Sequence, residues 1–293
     1  MRDYKIAPQC VDCIAGKYLG KAPKTATVEQ QMEYKLKVLK IIAELGENVT
    51  APEIVAAVTE FKNEMFGRID DFAEEKRYFN ALMLSLADEI EQQITSSEDP
   101  FKMALRFAQL GNYIDFGAMY SVDENKLREM LKDVSSVKPD EIEYENLKRE
   151  LSRAKRMVYL TDNCGEIVMD KLLVRQIKKQ FKDLDVTVIV RGGPVLNDAT
   201  MEDAEQVGLD LDARVVSNGT FIAGTALHRL PENVRSRILS ADVILSKGQG
   251  NFETLQKCGL NVYYLFLCKC DMFAEHFGVP KLTGMFLNDL RMK

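Results

Sequence analysis

Four short β-prone runs in the second half of the chain each end in residues suited to binding a ligand. Met157 to Leu160 runs into Thr161-Asp162-Asn163-Cys164-Gly165-Glu166, and Val186 to Val190 into Arg191-Gly192-Gly193-Pro194-Val195-Leu196-Asn197-Asp198. Arg214 to Val216 is followed by Ser217-Asn218-Gly219-Thr220, and Val243 to Leu245 by Ser246-Lys247-Gly248-Gln249-Gly250-Asn251. Asp162, Asn163 and Asp198 offer oxygen donors only. Few protein oxygens, completed by water and substrate oxygens, suit Mg²⁺ or Mn²⁺, with Co²⁺ and Ni²⁺ as the other candidates. Arg191 and Lys247 could neutralise phosphate oxygens. The backbone N–H groups of Gly192-Gly193 and Gly248-Gln249-Gly250 could meet an anion at the start of the next helix. Singly, an Asp-Asn after a strand is commonly a cap, Gly-Gly-Pro a turn and Lys247 a solvated charge. Four such loops in succession favour a phosphate site with a hard cation.

The elements that must position these residues are strands alternating with amphipathic stretches: Ile167 to Phe181, Asp198 to Val207, Pro231 to Leu239 and Phe252 to Lys257. Continuous apolar strands separated by helices predict a mostly parallel sheet covered on both faces, with ligands beyond the strands' carboxyl ends. Before residue 156 the periodicity is helical. Val28, Met32, Leu36, Leu39 and Ile42 recur at spacings of three and four, the pattern of one helix face. Thr50-Ala51-Pro52-Glu53 reads as a capping box ahead of Ile54, Val58, Phe61 and Met65. Phe79, Leu82, Met83, Leu86 and Ile90 form another stripe, and Asp99-Pro100 opens a helix that Gly111 stops. Further helices are expected near 123–133 and 140–154. The expected architecture is α/β: an all-helical N-terminal domain, residues 1–155, packed on a three-layer α/β/α domain, residues 156–293.

Composition narrows the function classes. Apolar residues make up 46% of the 293, and the formal net charge is −6. A chain this apolar can bury a core, and its acidic balance argues against nucleic-acid partners. The longest purely apolar run, Val262 to Cys268, falls far short of the about 18 residues of a membrane span. No signal-peptide core follows Met1-Arg2-Asp3-Tyr4-Lys5. A soluble, cytoplasmic protein without a membrane partner is expected; oligomeric state has no sequence signal. In a reducing compartment the 6 cysteines read as thiols or ligands. Cys10-Val11-Asp12-Cys13 has zinc-ligand spacing, and Cys268-Lys269-Cys270 could supply a second pair for a structural metal. Cys164 reads as a buried packing residue, with no histidine near it in sequence. No Gly-x-Ser-x-Gly elbow is present, which disfavours a serine hydrolase.

At these residues the chain resembles the damage-control phosphatases, formerly domain of unknown function 89. The similar segments are Thr161 to Asp170, Gly193 to Thr200, Ser246 to Glu253 and, in the helical half, Ala108 to Gly117 with its Gly111-Asn112-x-x-Asp115 pattern. Asp70-Asp71-Phe72 followed by Lys76 is a looser match that lacks the family's proline. The short length and the Cys10–Cys13 pair resemble the prokaryotic, largely archaeal branch. The resemblance implies a metal-dependent phosphohydrolase acting on small phosphometabolites, including damaged metabolites and sugar phosphates. It implies metal on Asp162, Asn163 and Asp198, and it implies Lys247 and Asn251 at the phosphate end. Asn112 and Asp115 would reach in from the helical half. Arg191 and Gly193 complete the expected phosphate contacts, and Asp162, Asp115 and Lys247 the expected catalytic set. The attacking group stays open between an activated water and Asp162 itself; Cys164 stands where an Asp-x-Asp phosphatase has its second aspartate. Asp115 and Glu166 are both candidates for general acid or base. Two other classes remain: an S-adenosylmethionine-dependent methyltransferase, disfavoured by a strand-one loop with one glycine and a negative charge, and a non-catalytic phosphometabolite-binding protein.

Overall fold

The structure is a computed structural model and describes residues 6–46, 49–68, 72–115 and 123–292. These form α1 (Pro8–Tyr18), α2 (Val28–Leu45), α3 (Ala51–Phe66), α4 (Ala73–Ser96), α5 (Pro100–Gly111), α6 (Glu124–Lys132) and α7 (Glu141–Leu151). The alternating part then runs β1 (Arg156–Leu160), α8 (Glu166–Gln180), β2 (Asp185–Val190), α9 (Met201–Val207), β3 (Arg214–Ser217), α10 (Glu232–Leu239) and β4 (Val243–Lys247). It ends with α11 (Gln249–Leu255), β5 (Val262–Leu267), α12 (Asp271–Phe277) and β6 (Gly284–Asn288). Among the described residues no helix is long and apolar enough to cross a membrane.

The six strands form one sheet in the order β3-β2-β1-β4-β5-β6. Pairings from β3 through β5 are parallel and β6 runs antiparallel to β5. The order reverses direction between β1 and β4, where open α/β sheets leave a crevice. Leu160 lies level with Ile189 on one side and Ser246 on the other. The loops after β1, β2 and β4 therefore emerge together. β6 and α12 had no clear sequence signal: β6 is a half-buried edge strand that follows two short turns.

Buried side chains form three clusters. One sheet face is covered by α8 and α9 and, through Phe79, Phe107, Tyr144 and Leu147, by α4, α5 and α7. The other face packs against α10, α11 and α12 around Phe252, Tyr264 and Phe266. The third cluster belongs to α1–α3 alone, around Tyr34, Val38, Ile54 and Val58. The α3 capping box forms as expected, with Thr50 N and Oγ1 donating to Glu53 Oε2 at 2.9 and 2.8 Å. Asp99 caps α5 by accepting from Lys102 N at 3.1 Å.

The stripe expected to bury α2 is largely its outer face. Val28, Met32, Leu36 and Leu39 are exposed, while Tyr34, Val38, Ile41 and Ile42 are buried. The helix has two apolar faces, and the one carrying the aromatic side chain meets α3, where Tyr34 stacks on Phe61 at 6.0 Å. Asp70 and Asp71 of the looser motif lie outside the described residues. Lys76, in the same motif, is buried and pairs with Asp203 at 3.0 Å.

Candidate active site

The hydrogen-bond ladder carries the chain to the sheet edge before it turns. Thr161 N donates to Ile189 O at 3.1 Å, extending β1 by one residue and leaving Asp162 at the rim. The β1 and β2 loops then join. Asn163 and Asp198 form an antiparallel bridge, Ala199 N donates to Asp162 O at 2.7 Å and Cys164 N to Asn197 O at 2.9 Å. This backbone pairing brings two carboxylates 36 positions apart in sequence to one place. Two glycines permit the close approach. Gly165 (φ +76) opens α8 against Ile114 and Phe79, and a Cβ on Gly248 (φ +80) would lie 2.0 Å from the Asp162 carboxylate.

Asp162 Oδ2 accepts from Asn112 Nδ2 at 2.9 Å and from Asn163 Nδ2 at 2.7 Å. Asp198 Oδ2 accepts from Arg191 Nε at 2.5 Å. Arg191 Nη2 lies 3.6 Å from Asp162 Oδ1 and has no hydrogen-bond partner. Asn163 Oδ1 accepts from Asn197 Nδ2 at 2.9 Å. Burial, with the charges of Asp198 and Glu166, pushes the Asp162 carboxyl well above the usual carboxylate range. Burial also raises Asp198, although Arg191 opposes it. Two desolvated carboxylates that resist ionisation, with an amide oxygen beside them, are a donor set that a hard divalent cation would satisfy. Among the described residues no three His, Cys, Asp or Glu side chains form a ready-made cage, so water or substrate oxygens would supply the remaining ligands.

These carboxylates floor a cleft of about 610 Å³ between the sheet edge and helices α1 and α3. Of the residues expected at the site, Asp115, Asp162, Asn163 and Asp198 line it, and Asn112, Arg191, Gly193, Lys247 and Asn251 do not. Lys247 is fully buried beneath the floor. Its Nζ donates to Ala108 O at 2.9 Å, Glu166 Oε1 at 2.5 Å and Asp170 Oδ1 at 2.7 Å, which uses all three hydrogens. Strand alternation explains the difference: Lys247 ends β4 with its side chain on the α8 face, not over the edge. Asn251 is also saturated: it donates to Thr161 O and Lys247 O and accepts from Arg191 and Thr225. Arg191 braces Asp198 from behind. Gly193 faces the Phe221 ring, 2.4 Å from where its Cβ would stand. Asn112 braces Asp162 and Glu166 from below and accepts from Leu267 N at 2.9 Å.

Among the lining residues that escaped the sequence reading, Lys269 and Asn197 touch the expected site residues directly. Lys269 Nζ reaches Asp115 Oδ2 at 2.6 Å and lies near enough to Asp162 to oppose the rise of its pKa. Asn197 fixes Asn163. Lys269 follows β5, so the strand-end rule applied to a fifth strand selects it; its flanking cysteines drew the attention instead. Cys10, Cys13 and Cys270 share the cleft wall with Glu253, while Cys268 is buried outside it. All six cysteines are free, and burial raises the Cys10, Cys268 and Cys270 thiols. Cys164 is fully buried with its thiol pushed well up, as a packing residue would be.

A sheet-edge cleft with paired carboxylates on a 3-2-1-4-5-6 sheet defines an α/β protein with a crevice at its topological switch point, and comparison with known proteins identifies its family. Residues 6–283 match the damage-control phosphatase ARMT1-like domain, and the chain belongs to that family. It is 30% identical over 283 residues to the damage-control phosphatase PH1575 of Pyrococcus horikoshii, covering 94% of this chain and 96% of that protein. A damage-control phosphatase of Archaeoglobus fulgidus is 34% identical over the same length, with the same coverage. The crystal structure of the Pyrococcus protein, described as a DUF89 family protein, superposes with a TM-score of 0.82 at 27% identity, covering 97% of this chain and 99% of that one.

Proposed function

We propose that the chain is a metal-dependent phosphatase of small phosphorylated metabolites. The observation that carries this reading is the convergence of Asp162, Asn163 and Asp198 on the floor of a cleft that also holds Lys269. Relatives named damage-control phosphatases support it. Asp162, Asn163 and Asp198 would hold Mg²⁺ or Mn²⁺, which supplies Lewis acidity and a template for the phosphoryl oxygens. Lys269 stabilises charge on those oxygens from the other side, and Asp115, its ion-pair partner, is placed to hold or pass a proton. Arg191, Asn112 and Asn197 act from behind the floor, fixing the orientation of Asp198, Asp162 and Asn163. In the overall reaction water adds to phosphorus, the bond to the alcohol oxygen breaks, and the alcohol leaves with a proton as orthophosphate forms.

The test is hydrolysis of p-nitrophenyl phosphate with and without Mg²⁺, Mn²⁺, Co²⁺ or Ni²⁺. Metal-stimulated turnover is expected. Asp198→Asn should reduce it by at least about 100-fold and abolish any metal-induced rise in melting temperature. Full activity in that variant would overturn the assignment, and metal-independent binding without turnover would favour a binding protein.

A further inference from the structure

Among the described residues α2 carries more exposed large apolar side chains than any other element. Val28, Met32, Leu36 and Leu39 are between 46% and 75% exposed, while the opposite face of the helix packs within the α1–α3 core. Exposed apolar residues scattered singly are ordinary, but four in one stripe mark an interaction surface. Their spacing of four, four and three is that of a helix seam packed on another helix. The helix has 18 residues, a length of about 27 Å.

The pattern of the stripe says what covers it. Its apolar positions read nearly the same in both directions. Laid antiparallel on a second copy of itself, α2 sets Val28 against Leu39 and Met32 against Leu36, around a two-fold axis beside residue 34. A two-fold dimer requires such a self-complementary patch. The charges obey the same axis. Glu29 and Lys40 are exposed and follow Val28 and Leu39 by one position, and 39 − 28 and 40 − 29 are both 11, about three helical turns. They lie on one flank of the stripe, and the axis brings Glu29 of each copy against Lys40 of the other. A parallel pair would instead set like against like at both positions. Lys40 pairs with Glu44 of its own chain at 3.6 Å, with both side chains more than half exposed, a contact weak enough to be exchanged. Lys35 meets its own copy beside the axis on the other flank, which limits the affinity. A membrane surface would call for basic flanks, and the first two turns carry Glu29 and Glu33 instead.

We infer that two copies of this chain associate through α2 as an antiparallel, two-fold pair. The inference is independent of the phosphatase reading, because α2 contributes no residue to the cleft. One helix face per copy is smaller than the about 800 Å² per partner of a standard interface, so the dimer is of the weak, reversible kind. Sedimentation velocity across about 1–300 µM tests it. The wild type should pass from the 33.2 kDa monomer to a species of twice that mass, half converted at about 1–100 µM. Leu36→Glu puts a carboxylate into the seam and should raise the dissociation constant by at least about tenfold. Lys40→Glu should raise it by about threefold or more, and Glu29→Lys combined with Lys40→Glu should return it to within about twofold of wild type. Lys35→Gln should lower it by about twofold. All four positions are exposed, so circular dichroism and Tm should stay at wild-type values and confirm that each variant folds. A wild type that remains monomeric at about 300 µM would overturn the inference. So would a dimer indifferent to Leu36→Glu, a loosening by Lys35→Gln, or a charge reversal at Lys40 that the second reversal at Glu29 fails to rescue.

Discussion

Replacing Lys247 by Met should destabilise the protein before it affects substrate recognition. The ammonium is wholly buried and bonded to Glu166, Asp170 and the Ala108 carbonyl. Methionine fills a similar volume but strands two carboxylates. Removing one partner of a buried ion pair typically costs about 3–5 kcal/mol. An unfolding entropy of roughly 2.1 cal/mol/K per residue makes that a fall of about 5–8 °C in Tm for a chain of this length. The loss should shrink toward pH 5, where protonation can neutralise a stranded carboxylate, and Lys247→Met with Asp170→Asn should recover part of it. Scanning calorimetry and urea titration at pH 5 and 7.5 measure the loss, and steady-state kinetics with inorganic phosphate as inhibitor measures recognition. A variant with Tm within about 1 °C of wild type but weakened phosphate inhibition would refute the reasoning, because Nζ would then face the ligand.

Lys269→Met should raise KM for a phosphomonoester and weaken phosphate inhibition by about tenfold or more, with a fall in Tm as well because it removes the ion-pair partner of the buried Asp115 carboxylate; unchanged inhibition would remove Lys269 from the phosphate site. Gly248→Ala places a methyl 2.0 Å from the Asp162 carboxylate at φ +80, so activity should fall sharply and stability by about 2 kcal/mol or more, read by urea titration. The pH dependence of stability should change in Asp170→Asn. Burial raises Asp170 from 3.8 to about 6, and its Oδ2 has no hydrogen-bond partner. Such a carboxyl costs wild-type stability progressively as pH rises from about 4 to 6, with the full cost above that window. The unfolding free energy of Asp170→Asn relative to wild type should therefore rise across the window, and a relative fall would contradict the direction of the shift.

Strand-end logic worked where backbone direction decides the outcome and failed where side-chain parity does. Asp162, Asn163 and Asp198 leave their strands beyond the last paired residue, so sequence order alone brings them to the edge. Lys247 is still inside β4, where alternation chooses a face, and one residue of parity turns a cleft residue into a buried one. Asn251 and Arg191 carry ligand-type side chains, yet they bond to each other across 60 positions and Asn251 reaches the Thr161 carbonyl across 90. No local pattern reports such pairings. Similarly, α2 shows two apolar faces in its sequence, and only its packing on α3 decides which is covered. Helices α2–α11, five of the six strands and the motif loops were legible because each rests on period, caps or turns within a few residues.

The separate core of α1–α3 has a consequence for how the protein can diversify. These helices bury Tyr34, Val38, Ile54 and Val58 among themselves, yet α1 and α3 furnish much of the wall above the carboxylate floor. The floor hangs on the β1, β2 and β5 loops and on bracing from α5 and α8, none of which draws on that small core. Replacement of the α1–α3 unit, or drift within it, can thus recast which organic groups are admitted while the reactive chemistry stays fixed. The molecule is built like a tool with an interchangeable jaw, and grafting α1–α3 from a relative is the direct way to retarget it.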